Sequence, residues 1–62
     1  MNYNVMMSIA DFRYAYTISF MIRHRIPVTN KEFDKCCKLL ENVDLTWSEM
    51  ETIAKFYDIL IV

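Results

Sequence analysis

Hydrophobic positions recur with a helical period in three segments of the chain. In the segment at about 30–42, charged residues lie on one side and an apolar set on the other: Phe33, Cys36, Cys37, Leu40 and Val43. In the segment at about 47–61, the corresponding apolar set is Trp47, Met50, Ile53, Ala54, Tyr57 and Ile61. Both segments predict amphipathic helices that each bury one side.

The first segment, at about 4–25, is apolar on two opposite sides. One stripe contains Val5, Ile9, Phe12, Tyr16 and Phe20. The second stripe contains Met7, Ala10, Tyr14, Ile18 and Met21. A helix that is apolar on both sides is buried on both sides. Because two shorter helices cover one side well and the other only in part, we expect a second copy or another protein to cover the second stripe.

Local signals mark where the helices begin and end. Thr29 with Glu32, and Thr46 with Glu49, both fit the capping box, and apolar residues flank each box in hydrophobic-staple positions. Pro27 disfavours helical geometry in the residue before it, which ends the first helix near residue 25. With no glycine for tight hairpins, the sequence predicts an all-α fold. Residues 1–62 form one domain, with a long first helix packed on a capped helical hairpin.

The composition adds a surplus of large apolar residues. A chain of 62 residues has a small interior, yet this one contains five Met, four Tyr, four Phe and one Trp. Some of these side chains must therefore lie on the surface, where large apolar patches usually mark interaction sites. We expect no membrane span, because Asp11 and Arg13 would lie near the middle of the bilayer.

Charge is distributed unevenly along the chain. Residues 1–38 carry six basic and three acidic side chains, whereas residues 39–62 carry one basic and five acidic. A nucleic-acid interface would use the basic residues Arg23, Arg25, Lys31, Lys35 and Lys38. The alternative is a solvated helix face beside a helix end that suits cations. The third helix is a poor candidate for DNA recognition, because the phosphates would repel the carboxylates of Glu51 and Asp58.

Residues that carry catalytic or metal chemistry are few. Cys36 and Cys37 are adjacent, so we expect both to be reduced thiols in the core of a cytoplasmic protein. A dyad of His24 with either cysteine is the weaker alternative. Two cysteines and one histidine fall one ligand short of a zinc site. We therefore expect no catalytic residue, no metal and no cofactor.

The expected function is protein binding without catalysis, with self-association as a homo-oligomer, most simply a dimer. The predicted contact residues are Met7, Arg13, Tyr14, Ile18, Met21, Arg23 and Arg25. The composition suggests a phage product that inhibits or modulates a host protein in the host cytoplasm. The alternative is a small nucleic-acid-binding transcriptional regulator that uses the basic residues between Arg23 and Lys38.

Overall fold

A computed structural model of the chain describes residues 7–59. This range contains three α-helices: α1 over Ile9–Arg23, α2 over Asn30–Leu40 and α3 over Trp47–Phe56. The predicted all-α, three-helix fold is confirmed. None of these three helices combines the length and the hydropathy that a membrane span requires.

The starts of α2 and α3 follow from the two capping boxes. The Thr29 hydroxyl accepts the Glu32 N–H at 3.1 Å, and the Glu32 carboxylate accepts the Thr29 N–H at 2.9 Å. Thr46 and Glu49 repeat this exchange at 3.2 and 2.9 Å. Each box satisfies two backbone donors that a helix start otherwise leaves open. The predicted starts near residues 30 and 47 are confirmed.

The start of α1 differs from the prediction. Asn4, the expected first residue, lies outside the described residues. Ser8 is extended, and its hydroxyl accepts the Asp11 N–H at 3.1 Å, so Ser8 is the N-cap and α1 begins at Ile9. Placing residues 7 and 8 in the helix was wrong, because the apolar periodicity runs through this cap without interruption.

Both α1 and α3 end in Schellman motifs built without glycine. Arg25 has a φ of 57°, and the Ile26 N–H donates to the Met21 carbonyl at 2.8 Å. In α3, Asp58 has a φ of 58°, and the Ile59 N–H donates to a carbonyl one turn back, at Ala54, at 2.9 Å.

These motifs shorten the helices that were predicted from periodicity. The helix α1 ends at Arg23 rather than 25, and α3 ends at Phe56 rather than 61. The helix α2 ends at Leu40 rather than 42, where the Val43 N–H turns back to the Leu40 carbonyl.

The core has two parts, one on each side of α1, which contacts both α2 and α3. The α1–α3 cluster contains Phe12, Tyr16, Met50, Ile53, Ala54 and Ile59. The α1–α2 cluster contains Ala15, Ile18 and Cys36. Leu40 packs against both clusters. Each short helix therefore covers part of a different apolar side of α1, which makes α1 the central element.

Candidate protein-interaction surface

The second apolar stripe of α1 does not form the surface that was expected. Ile18 is only 3% exposed and packs with Ala15 and Cys36. Tyr14 and Met21 are half-buried against the same cluster. Ile18 was predicted to contact a partner, but in this fold α2 lies over it. A partner would reach Ile18 only if α2 moved away.

The other predicted contact residues are dispersed rather than gathered around that stripe. Met7 packs against the α1–α3 cluster. Arg13 is exposed, and Arg25 is exposed at the end of α1. The Arg23 guanidinium lies 4.8 Å from the centroid of the Trp47 ring, on the α3 side. The structure therefore does not bring these four residues together with Tyr14 and Met21 as one contact surface.

Among residues 7–59, the most exposed large apolar side chain is Phe56, at 81%. Its ring makes an edge-to-face contact with Tyr57, which is 50% exposed, with 5.1 Å between centroids and 86° between planes. We call Phe56 and Tyr57 the aromatic pair. Phe56 follows the exposed Thr52 by one turn, so it points away from the Met50–Ala54 side that packs on α1.

Periodicity missed the aromatic pair because it placed Tyr57 on the buried side of a longer helix. Since α3 ends at Phe56, Tyr57 is the C-cap and the helical period no longer sets its direction. Ile59 is buried in its place, 7% exposed. Asp58 was the available sign of this ending, because aspartate visits the left-handed region more readily than most residues.

A second group of exposed apolar side chains lies where α1 meets α2. Ile22 and Ile26 are each 41% exposed, and Phe33 is 47% exposed. The Cys36 thiol contacts the Ser19 hydroxyl at 3.6 Å, and the end of α1 leads into the start of α2, so the two helices run antiparallel. Ile22 follows Ser19 by three residues and Phe33 precedes Cys36 by three, so both lie toward the same end of the α1–α2 contact.

The lysines of the nucleic-acid alternative lie together on α2. Lys31, Lys35 and Lys38 line an open depression of about 400 Å³ that also includes Asp34 and Leu39. Neither predicted arginine lines this depression. Three of the five predicted basic residues therefore lie together, with the Asp34 carboxylate among them.

One of these lysines already contacts an aromatic ring within the chain. The Lys35 ammonium lies 4.3 Å from the centroid of the Tyr14 ring, which is a cation–π contact. Burial raises the pKa of the Tyr14 phenol, and the nearby Glu32 carboxylate raises it further. The neutral ring of Tyr14 is therefore the partner that Lys35 meets at ordinary pH.

The two cysteines have different environments. Cys36 is 3% exposed, and its thiol lies 3.6 Å from both the Ala15 carbonyl and the Ser19 hydroxyl. Burial raises the pKa of the Cys36 thiol, and the Ser19 contact offsets part of that rise. Cys37 is a free thiol and is exposed, so its prediction as a core residue was wrong. It lies where the apolar side of α2 extends beyond the part that α1 covers.

His24 packs on an aromatic ring rather than beside a nucleophile. Its ring centroid lies 4.0 Å from that of Phe20, with 32° between the planes. Among residues 7–59, no group of three or more His, Cys, Asp or Glu side chains is arranged to hold a metal ion. The described residues thus offer a partner the aromatic pair, the apolar group of Ile22, Ile26 and Phe33, and the exposed face of α2.

Comparison with known proteins assigns no family to the chain. No family model, no curated protein and no solved structure matches it.

Proposed function

We propose that this chain is a non-enzymatic protein-binding module that anchors its partner through the aromatic pair. The observation that carries the proposal is the 81% exposure of Phe56. Full burial of such a side chain against a partner contributes about 1.5–3 kcal/mol. Aromatic residues are common among the few side chains that dominate interface energies. Tyr57 suits the edge of such a contact, because its hydroxyl end tolerates water.

The aromatic pair is held on a fixed support. Met50, Ile53 and Ala54 pack α3 against α1, and the Tyr57 N–H donates to the Ile53 carbonyl at 3.1 Å. Because the backbone under the pair is ordered before binding, a partner has less conformational entropy to overcome.

The surroundings of the pair also suit a protein partner. Lys55 and Asp58 are exposed on either side of it in sequence, so the rim carries both signs of charge. An apolar centre with a mixed polar rim is the usual anatomy of a protein–protein interface. A phosphate backbone would instead favour a rim of one sign.

The finer proposal concerns what binding achieves. A small module without catalytic groups acts by occupying a surface that its partner needs, and inhibition or modulation is the direct consequence. The glycine-free, Asn-, Ile-, Tyr- and Lys-rich composition supports an origin in a compact, AT-rich genome such as that of a virulent phage. The partner would then be a host protein in the host cytoplasm.

The test compares two Phe→Ala variants. Wild-type chain is used to capture partners from a lysate of the source cell, and the captured protein is purified for direct titration. Phe56→Ala should raise the Kd about tenfold or more, because an anchor is lost. Phe33→Ala removes an equally large ring from α2 and should leave the Kd within about threefold. Helical circular dichroism should be unchanged in Phe56→Ala, because its ring packs little within the chain.

Two results would contradict the proposal. One is a Phe56→Ala variant that binds the purified partner as the wild type does. The other is binding to duplex DNA instead of protein, which the lysine-lined depression on α2 makes the second candidate. DNA binding would weaken with salt with a log–log slope of about −3 for three phosphate contacts and about −4.5 for five.

A further inference from the structure

Four charged residues form a stripe along the exposed side of α2. They alternate in sign, are all exposed, and extend from the second position of the helix to its C-cap: Lys31, Asp34, Lys38 and Glu41. Their spacings of three, four and three residues keep them on one side of a helix. We call these four residues the charged stripe.

The charged stripe is complementary to itself when reversed. Lys31 and Glu41 are equally distant from residue 36, as are Asp34 and Lys38, and each pair has opposite charges. Two antiparallel copies of α2 centred there would set Lys31 against the second copy's Glu41, and Asp34 against its Lys38. All four contacts would then join opposite charges, whereas a parallel pairing in the same register would oppose like charges.

An apolar edge lies next to the charged stripe. Phe33 is 47% exposed and Cys37 is exposed one turn later, so α1 leaves this part of the apolar side of α2 uncovered. In the antiparallel register, Phe33 lies level with the interval between Cys37 and Leu40 of the second copy. Apolar contacts would thus lie along one side of the helix pair and charged pairs along the other, so the interface would combine both kinds of contact.

We propose that the chain self-associates through α2, which pairs antiparallel with α2 of a second copy about a two-fold axis near residue 36. The same patch on both copies meets itself, as a two-fold interface requires. The inference goes beyond the proposed function and does not use the aromatic pair, which lies on α3.

The size of the contact fixes its strength. An eleven-residue helix is only about 16 Å long. Interfaces that bury less than about 1,200 Å² in total belong to weak or transient associations. Exposed ion pairs at the rim are screened by salt. The structure therefore predicts a weak, salt-sensitive dimer rather than an obligate one.

The register also brings one thiol close to its own copy. The two Cys37 residues would differ by two positions along the helix axis, or about 3 Å. Facing helices can then place the Cα atoms within the range of about 4.4–6.8 Å that a disulfide needs. Cys36 is buried against α1 and would not take part.

Disulfide trapping tests this register. Diamide, a diazene oxidant, takes two electrons and two protons from a pair of Cys37 thiols, which leaves one S–S bond and a hydrazine. The rate of dimer formation is followed on a non-reducing gel in about 20 mM and about 0.5 M salt. Wild-type chain should form the dimer rapidly in low salt, and Cys37→Ser should not form it.

Charge variants then separate specific pairing from random collision. Asp34→Lys should slow the reaction about fivefold or more, because like charges would oppose at two symmetric positions. Asp34→Lys combined with Lys38→Asp restores opposite pairs and should restore the rate. Asp44→Lys makes the same change of net charge on the exposed α2–α3 connection and should leave the rate unchanged.

Three outcomes would overturn the inference. The wild-type rate could be equal in low and high salt, Asp34→Lys could react as fast as the wild type, or the double exchange could fail to restore the rate in a chain whose circular dichroism is intact. Phe56→Ala should form the dimer at the wild-type rate. A failure of this interface is therefore distinguishable from a failure of the proposed function.

Discussion

The Trp47 ring stacks on the Tyr16 ring, with 5.0 Å between centroids and 18° between planes. Tyr16 is buried in the α1–α3 cluster, and the Arg23 guanidinium also lies over Trp47. The first residue of α3 is thus held by two residues of α1 that are two turns apart. This contact fixes the direction in which α3 leaves its capping box.

A double-mutant cycle should resolve the contact between Arg23 and Trp47. Arg23→Gln should lower the free energy of unfolding by about 0.5–1 kcal/mol through the lost cation–π contact. In a Trp47→Leu background the loss should be smaller, because only the effect of the charge on the α1 dipole remains. Urea unfolding of the four proteins gives the coupling energy. Additive losses would show that the contact contributes nothing.

Glycine should stabilise the protein at the two helix-terminal positions that have a left-handed backbone conformation, Arg25 and Asp58. Arg25→Gly should raise the free energy of unfolding by roughly 1 kcal/mol, because the left-handed conformation disfavours side chains that carry a Cβ. Asp58→Gly should gain less, since aspartate tolerates this conformation better. Thermal unfolding measures both. Arg25→Ala keeps the Cβ and should show no gain, and a gain there equal to that of glycine would contradict the assignment.

The first capping box should make the free energy of unfolding depend on pH in the acidic range. Hydrogen bonds from Thr29, with the backbone N–H as the larger cause, hold the pKa of Glu32 below its usual range. The contribution of a group with a lowered pKa is fully present above its unfolded pKa and is lost as the pH falls through its folded pKa. Glu32→Gln should therefore flatten part of the decline in unfolding free energy between neutral and acidic pH. A decline as steep as that of the wild type would rule out this role for Glu32.

The two thiols should react at different rates in the native state. Cys37 is exposed and should be labelled quickly by a thiol reagent at near-neutral pH, whereas Cys36 should be protected by burial and its raised pKa. In urea both should react. The Cys37→Ser variant isolates Cys36, and rapid native labelling of that variant would mean that the α1–α2 cluster opens readily.

The sequence predicts the starts of α2 and α3 because each is encoded within four residues. In Thr29 to Glu32, and again in Thr46 to Glu49, the donors and acceptors are close in the chain, so no tertiary information is needed. The helix ends are harder to predict, because Arg25 and Asp58 occupy positions where glycine usually marks the stop.

The candidate surface was harder to predict because it depends on tertiary packing. Periodicity identifies Ile18 as apolar but does not say whether α2 or a partner covers it. The exposure of Tyr57 depends on where α3 stops, which the Asp58 conformation decides. The apolar pattern alone therefore predicted a surplus of apolar surface on α1, whereas Phe56, the most exposed large apolar side chain among residues 7–59, lies on α3.

The central claim is that one chain covers both apolar sides of α1, and thermal unfolding of Ile18→Val tests it most directly. Ile18 is 3% exposed beneath α2, so loss of one methylene should cost about 0.5–1.5 kcal/mol. Each kcal/mol corresponds to a fall in the midpoint of about 4–8 °C for a domain of this size. We expect the same fall relative to the wild type at low and at high micromolar protein concentration. A midpoint equal to that of the wild type at low concentration, with a difference appearing only at high concentration, would instead place Ile18 between two copies of the chain.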